Sequence, residues 1–322
     1  MKFPHESPSP FDGGGRGWGW TKQRPFGPPS PSSPPTEGRG DFWRGIMVSI
    51  KKELEAYGLI PRKSLGQHFL VDRNILKKVV QTARIKKEDV VLEVGPGLGM
   101  MTLVLADQAK RVVAVEIDSK LVEILKKKVG GYPHVEVIQK DILEMDFKQL
   151  HQREGQPIKV VANLPYQIST PLLFQFIEAK EAFSSLTLML QKEVAERMTA
   201  PPGGKDYGPL SIFIQLATDL SLPFFIKPSC FFPPPKVDSA VVHMTWKDRP
   251  TVTIQDMEWF KKVVRGCFNY RRKTLINGLK YSGLLLPADT AERMNRVGMD
   301  PQRRPETLTL QEFANLAEAL KT

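Results

Sequence analysis

Residues 90–99 read VVLEVGPGLG, and this stretch indicates which fold the chain adopts. The valine-rich run Val90–Val94 is typical of a strand that is buried on both faces. Gly95, Gly97 and Gly99 then permit a tight turn and a close approach of the backbone to a ligand. A strand that passes through such glycines into a helical apolar pattern predicts the first unit of a parallel α/β sheet.

The same alternation of strand and helix continues towards the C-terminal end. Four more apolar runs predict buried strands, with helical patterns between them, at residues 111–117, 135–139, 158–164 and 185–190. Such alternation predicts a doubly wound parallel sheet that helices cover on both faces. Two further strand-like runs, near 221–226 and 240–246, complete this sheet. From Met257 to Leu320 the pattern is helical, so we expect a small all-helical part there.

Composition separates an N-terminal extension from the rest of the chain. Residues 1–46 contain nine of the 27 prolines and nine of the 24 glycines, and such a segment buries too little apolar surface to become ordered. We predict that it is a disordered Pro/Gly-rich extension or an upstream stretch from a misassigned start codon. We expect the remainder to form a larger α/β domain, 47–248, and a helical domain, 249–322.

The charge of the chain points to a polyanionic partner. The 322 residues carry a net charge of +11, and residues 1–46 hold six basic and four acidic side chains, so +9 belongs to the rest. This excess favours nucleic acid. The two cysteines, Cys230 and Cys267, form no CxxC or Cys/His cluster, so we expect no metal and a reducing cytoplasm. The sequence contains no apolar run of about 18 residues, so it predicts no membrane span.

Acidic residues follow the second and third predicted strands, at the sheet edge where ligands of doubly wound folds bind. Glu116 is placed to accept hydrogen bonds from ribose hydroxyls, and Asp141 from an adenine amine. The glycines have the spacing GxGxG rather than the GxGxxG of dinucleotide sites, since residue 100 is Met. A ligand without a pyrophosphate fits this spacing better, which favours S-adenosylmethionine as the cofactor.

The fourth predicted strand ends in the turn NLPY, residues 163–166, which suits methyl transfer to an exocyclic amine. The lone pair of such a nitrogen is delocalised into the adenine ring. The amide oxygen of Asn163 and the carbonyl of Leu164 are acceptors for its two N–H groups and favour tetrahedral geometry. Pro165 stiffens the turn, and Tyr166 offers a face on which an extruded base stacks.

Together these motifs resemble the ribosomal RNA adenine dimethyltransferase family. The resemblance extends from about Arg62 to Leu320 and includes the position of Asp141. It rests on SLGQHFL, EVGPGLG, VEID, NLPYQISTPLLF, LMLQKEVAERM, YGPLSI, FFPPPKVDSAVV and FNYRRKTLINGL. It implies a Rossmann-like class I methyltransferase sheet with a small C-terminal all-helical domain. The long helical part and FFPPPKVDSAVV favour the branch that acts on the bacterial small ribosomal subunit.

The resemblance also implies roles for individual residues. The segment that closes over the cofactor corresponds to His68 and Leu70, and His68 stands where Asn is commoner in the family. The other family positions that contact the cofactor correspond to Gly95, Glu116, Asp141 and Asn163. Phe231 falls on the aromatic position that clamps the target adenine opposite Tyr166.

The activity implied is transfer of methyl groups to N6 of two adjacent adenosines in the 3′-terminal hairpin of 16S rRNA, with dimethylation of each. The expected partner is 16S rRNA in an immature small subunit, with the enzyme acting as a monomer, away from membranes and with a role in subunit biogenesis. The basic cluster Arg271, Arg272 and Lys273 lies between aromatic residues and suits phosphate contacts. Further C-terminal arginines are expected to add such contacts: Arg293, Arg296, Arg303 and Arg304.

Three other functions are compatible with parts of this pattern. A resistance-type methyltransferase of large-subunit rRNA shares the same motifs. A non-catalytic ribosome-assembly factor shares the fold, although the complete set of Gly95, Glu116, Asp141, Asn163 and Tyr166 disfavours it. A methyltransferase of proteins or small molecules is disfavoured by NLPY together with the basic charge.

Overall fold

A seven-stranded sheet forms the centre of residues 50–321, which are the residues that the computed structural model describes. Its strands are β2 (Val90–Val94), β3 (Arg111–Glu116), β4 (Val135–Gln139), β5 (Ile158–Asn163), β6 (Phe183–Gln191), β7 (Thr218–Ile226) and β9 (Ser239–Trp246). Two short strands, β1 (Phe69–Leu70) and β8 (Phe231–Phe232), pair with each other outside this sheet. The predicted extension over residues 1–46 lies outside the described residues.

The strand order is β4-β3-β2-β5-β6-β9-β7, and β2 to β6 run parallel. The order therefore reverses between β2 and β5, because β3 and β4 lie on one side of β2 and the later strands on the other. Ligands of open α/β sheets bind at the carboxyl ends of the strands at such a point. Gly95 follows β2 and Asn163 ends β5, so both lie at this position. The predicted α/β class is confirmed.

One strand of the sheet departs from the predicted parallel arrangement. Strand β9 runs antiparallel to both β6 and β7. A parallel connection needs a crossover, usually a helix, but the chain between Ile226 and Ser239 holds only a 3-10 turn and β8. The direct return places β9 between β6 and β7.

Twelve helices accompany the strands in the described part of the chain. They are α1 (Ile50–Ala56), α2 (Arg73–Ala83), α3 (Met100–Ala106), α4 (Ser119–Lys128), α5 (Phe147–Glu154), α6 (Ser169–Glu178), α7 (Lys192–Thr199), α8 (Pro209–Ala217), α9 (Met257–Asn269), α10 (Leu275–Tyr281), α11 (Thr290–Arg296) and α12 (Leu310–Ala319). Side-chain caps fix several of their first turns. Asp72 accepts hydrogen bonds from Asn74 N and Ile75 N, and Asp118 accepts one from Lys120 N.

The four C-terminal helices pack around a hydrophobic cluster that includes Phe260, Leu279 and Phe313. Tyr207 and Phe213, which belong to the preceding part of the chain, are members of the same cluster. The predicted boundary between domains 47–248 and 249–322 stays a prediction. None of the helices in residues 50–321 combines the length and apolar character needed to cross a membrane.

Candidate active site

A cavity of about 280 Å³ opens at the carboxyl ends of β2, β3 and β5. The sequence predicted eleven residues for contact with the cofactor or the target base, and ten of them line this cavity. They are His68, Leu70, Gly95, Gly97, Glu116, Asp141, Asn163, Leu164, Pro165 and Tyr166. Residues far apart in sequence thus meet in one place because parallel strands bring their carboxyl ends to one sheet edge.

The glycine loop after β2 forms one wall of the cavity. Gly95, Gly97 and Gly99 have φ angles of +64°, +58° and +80°, which L side chains rarely adopt. At Gly97 a Cβ atom would lie 2.9 Å from Cε1 of Phe69, so a side chain there would displace this ring. The loop backbone consequently packs directly against β1.

Glu116 holds the glycine loop to the end of β3. Its Oε2 accepts a hydrogen bond from Gly97 N at 3.1 Å, and its Oε1 accepts from Ile117 N and Asp118 N at 3.0 Å each. Burial raises the pKa of Glu116, while these three N–H groups act in the opposite direction. Because each carboxylate oxygen has two lone pairs, Oε2 has room for one more donor from a ligand.

Asp141 follows the end of β4 and lines the cavity. Its Oδ1 accepts a hydrogen bond from Leu143 N at 2.9 Å and caps the 3-10 turn Ile142–Glu144. This bond fixes the carboxylate at the cavity wall.

Glu93 is a fully buried carboxyl group near the carboxyl end of β2, and it also lines the cavity. Its oxygens form no hydrogen bond of normal geometry within the described residues, although the Thr102 hydroxyl adjoins them. Burial raises the pKa of Glu93 to about 8, the Thr102 hydroxyl acts in the opposite direction, and the nearby Glu116 adds a smaller upward shift. The sequence interpretation assigned no role to Glu93, although an acid within an otherwise apolar strand was a signal for one.

The amide of Asn163 is oriented by the segment that precedes β1 in the chain. Its Nδ2 donates a hydrogen bond to the backbone carbonyl of His68 at 2.8 Å. A carbonyl oxygen only accepts, so the NH₂ group must face His68 and Oδ1 must face the other way. The side chain therefore offers an acceptor oxygen at the NLPY turn. This is the acceptor that the sequence analysis predicted for an N–H group of an exocyclic amine. Leu164 N bonds Met189 O at 3.0 Å and fixes the turn to β6.

Tyr166 and His68 form a stacked pair at the mouth of the site. Their ring centroids lie 5.6 Å apart with an interplanar angle of 28°. The Tyr166 hydroxyl shares a 2.7 Å hydrogen bond with Ser239 Oγ. His68 Nδ1 lies 2.7 Å from Pro233 O, and because that oxygen only accepts, Nδ1 carries the proton. The sequence interpretation missed both partners, Ser239 and Pro233, which lie far away along the chain.

Phe231 is the one residue predicted for the cofactor or the target base that does not line the cavity. It is buried, with 3% of its surface exposed, and its backbone pairs with Leu70 between β8 and β1. Residues that face each other in an antiparallel pair point to the same side, and Leu70 lines the cavity. The ring that lies against Tyr166 in this structure belongs to His68.

The predicted basic cluster lies in the turn between α9 and α10. Arg271 is half-buried and its Nη2 donates to Gly204 O at 3.2 Å, whereas Arg272 and Lys273 are exposed. Three of the other C-terminal arginines form ion pairs with carboxylates. Arg293 and Arg296 contact Asp289, and Arg303 contacts Glu312. Their charges are thus balanced locally, and the turn after α9 is the better candidate for phosphate contacts.

No group of three or more His, Cys, Asp or Glu side chains between residues 50 and 321 is arranged to hold a metal ion.

The chain is similar to proteins of one functional group. Residues 60–322 match the family model described as ribosomal RNA adenine dimethylase. A protein of Geobacter metallireducens named ribosomal RNA small subunit methyltransferase A is 46% identical over 265 residues, which cover 82% of this chain and 96% of the relative. A protein of the same name from Alkaliphilus oremlandii is 43% identical over 273 residues, or 84% and 95% of the two chains.

Solved structures show the same likeness. A dimethyladenosine transferase from Plasmodium falciparum superposes with a TM-score of 0.65 at 30% identity, covering 77% of this chain and 96% of the other. The 23S rRNA methyltransferase ErmE superposes with a TM-score of 0.58 at 26% identity, covering 78% and 99%.

Proposed function

The chain belongs to the ribosomal RNA adenine dimethylase family, and on this basis we propose that it transfers methyl groups from S-adenosylmethionine to N6 of adenosines in small-subunit rRNA. The targets that we propose are the two adjacent adenosines in the 3′-terminal hairpin of 16S rRNA, each dimethylated. The observation that carries this proposal is the orientation of Asn163, whose oxygen faces away from His68 in the cavity that also holds the glycine loop.

The residues of the cavity fit S-adenosylmethionine. The carboxylate of Glu116 has an acceptor site left for a ribose hydroxyl, and the left-handed glycines allow the loop backbone to approach the ligand closely. When bound, this cofactor supplies an electrophilic methyl group on a positively charged sulfur. We propose that His68, Leu70, Gly95, Gly97, Glu116, Asp141 and Asn163 hold it.

The NLPY turn then positions the amine that accepts the methyl group. Asn163 Oδ1 and the carbonyl of Leu164 accept the two N–H groups of the adenine amine, which draws its lone pair out of conjugation with the ring. Pro165 restricts the turn, and Tyr166 stacks on the extruded base. Catalysis by this chain is therefore mainly the positioning of two reactants. We keep Phe231 as the proposed second face of the base clamp, beside its strand partner Leu70.

Small-subunit rRNA is the preferred substrate because the relatives of that name are 43–46% identical, whereas the large-subunit enzyme ErmE is 26% identical. We propose that the chain acts as a monomer in the cytoplasm, where small subunits are assembled. The proposed substrate is an immature small subunit. The intact set of cavity residues disfavours a non-catalytic assembly factor.

Transfer of tritiated methyl groups tests this proposal. Small subunits from a strain that lacks the modification, large subunits, and naked 16S rRNA are each incubated with the chain and labelled S-adenosylmethionine. We expect label in the small subunit, and primer extension should stop at the two adjacent adenosines near its 3′ end. Label in 23S rRNA alone, or in no RNA, would contradict the proposal.

A further inference from the structure

Two tyrosines at the ends of α9 and α10 form an exposed aromatic pair. Tyr270 follows the last residue of α9, and Tyr281 is the last residue of α10. Their ring centroids lie 5.6 Å apart with an interplanar angle of 54°. Tyr270 is 43% exposed and Tyr281 is 62% exposed. Two adjacent large rings that remain in contact with water suit a binding surface better than a core.

Cationic side chains adjoin this pair along the chain. Arg272 and Lys273 follow Tyr270 in the turn, Lys280 precedes Tyr281, and all three are exposed. Within residues 50–321, no ion pair involves any of these three cations. This differs from Arg293 and Arg303, whose charges are balanced by carboxylates. The aromatic pair therefore lies beside positive charge that the protein does not neutralise.

Hydrogen bonds hold the turn that carries these side chains. Lys273 N bonds Tyr270 O at 2.7 Å, and Leu275 N bonds Arg303 O at 2.8 Å. Helix α10 also packs against α9, since a Cβ at Gly278 would be in ordinary van der Waals contact with Cys267 O at 3.4 Å. The rings and charges are thus presented by a fixed backbone, which lowers the entropy lost on binding.

On the basis of the proposed function, we propose that Tyr270 and Tyr281 form a stacking platform for unpaired bases of ribosomal RNA. Arg272, Lys273 and Lys280 contact the phosphates that adjoin these bases. Unpaired bases expose their faces, whereas bases within a duplex are covered by their neighbours. Positive charge alone attracts both kinds of RNA. The two rings therefore add a preference for single-stranded segments to a region that would otherwise bind RNA by charge.

The test compares two RNAs and several variants of the full chain. The probes are an RNA hairpin with an unpaired loop and a blunt duplex of the same nucleotide number, and fluorescence anisotropy gives Kd over a range of KCl concentrations. We expect Tyr270→Ala/Tyr281→Ala to weaken hairpin binding about tenfold, because each stacked base contributes measurably to affinity. Duplex binding and the slope of log Kd against log salt should stay the same.

Matched variants separate stacking from charge. Tyr270→Phe/Tyr281→Phe should bind the hairpin like the wild type, since the rings remain. Arg272→Gln/Lys273→Gln should weaken the binding of both RNAs and reduce the slope of log Kd against log salt. The single variant Tyr281→Ala, at the more exposed position, provides a second test, and circular dichroism verifies that each variant is folded.

The inference is overturned if the double alanine variant binds the hairpin as tightly as the wild type, or loses affinity equally for both RNAs. Methyl transfer by the wild type is measured separately. If the wild type methylates small subunits but the tyrosine variants bind the hairpin normally, the stacking platform is excluded and the proposed function stands.

Discussion

The ring of His68 lies against the ring of Tyr166, at a centroid distance of 5.6 Å. A stacking contact separates two ring planes by about 3.5 Å, so a base between these two rings would need about 7 Å. The rings must therefore separate before a base can lie between them. His68 is held in its position by the 2.7 Å hydrogen bond to Pro233 O.

Removal of the His68 ring should ease access to Tyr166. We expect His68→Asn to lower KM for the small-subunit substrate about two- to tenfold with kcat unchanged, because an aromatic pair contributes about 0.5–1.5 kcal/mol. Steady-state methyl transfer measures both constants. His68→Phe retains a ring and is the control. A higher KM in His68→Asn would show instead that this ring supports the bound base.

Loss of the Asn163 side chain should remove most of the activity. We expect Asn163→Ala to lower kcat about 100-fold, because a positioned polar group that acts on the reacting atom is worth roughly that factor. Calorimetry should show that binding of S-adenosylmethionine is partly kept. Wild-type rates in this variant would refute the assigned role.

The variant Asn163→Asp tests the orientation of the same side chain. It keeps an acceptor oxygen but cannot donate to His68 O as a carboxylate, so two acceptors would face each other at a distance that is now 2.8 Å. We expect lower thermal stability than in the wild type, measured by scanning calorimetry at neutral pH. An unchanged Tm would contradict the hydrogen bond.

Glu93 should make the stability of the ligand-free protein depend on pH. Its pKa is about 8 in the folded chain and about 4.5 for an unperturbed glutamate, so the folded state holds a proton that the unfolded state releases between these values. The contribution of this group to stability is fully present below about pH 4.5 and is lost as pH rises towards 8, by up to roughly 1.4 kcal/mol per pH unit.

Denaturant unfolding from pH 5 to 9 measures this dependence, and Glu93→Gln should flatten it because the amide does not titrate. Equal slopes for the variant and the wild type would exclude Glu93 as the source.

A side chain at Gly97 should disturb the cofactor loop. Gly97→Ala places a Cβ 2.9 Å from the Phe69 ring and also incurs the strain of φ +58°. We expect at least a tenfold weaker affinity for S-adenosylmethionine, measured by calorimetry. Gly155→Ala is the control, because its φ is +69° and its Cβ would meet nothing within 4 Å. The control should lose about 1 kcal/mol of stability or somewhat more but bind the cofactor normally. Equal losses of affinity would contradict the prediction.

The positions of the strands and of the main cavity residues were predictable from the sequence. Two of the predicted strands, Val90–Val94 and Val135–Gln139, have the observed bounds, and the others differ by a few residues. Apolar runs, glycines and capping residues act over a few neighbours, so they leave a readable local pattern. The antiparallel direction of β9 was missed because it depends on the connection after β7 rather than on the strand residues themselves.

The sequence alone therefore predicted the seven strands of the central sheet, and that Gly95, Glu116, Asp141 and Asn163 reach one edge of it. Only the tertiary structure decided how the side chains face there. Asn163 bonds His68 across 95 residues, His68 bonds Pro233 across 165, and Tyr166 bonds Ser239 across 73. A side chain takes its orientation from the partner that satisfies its polar atoms, and that partner adjoins it only after the chain has folded.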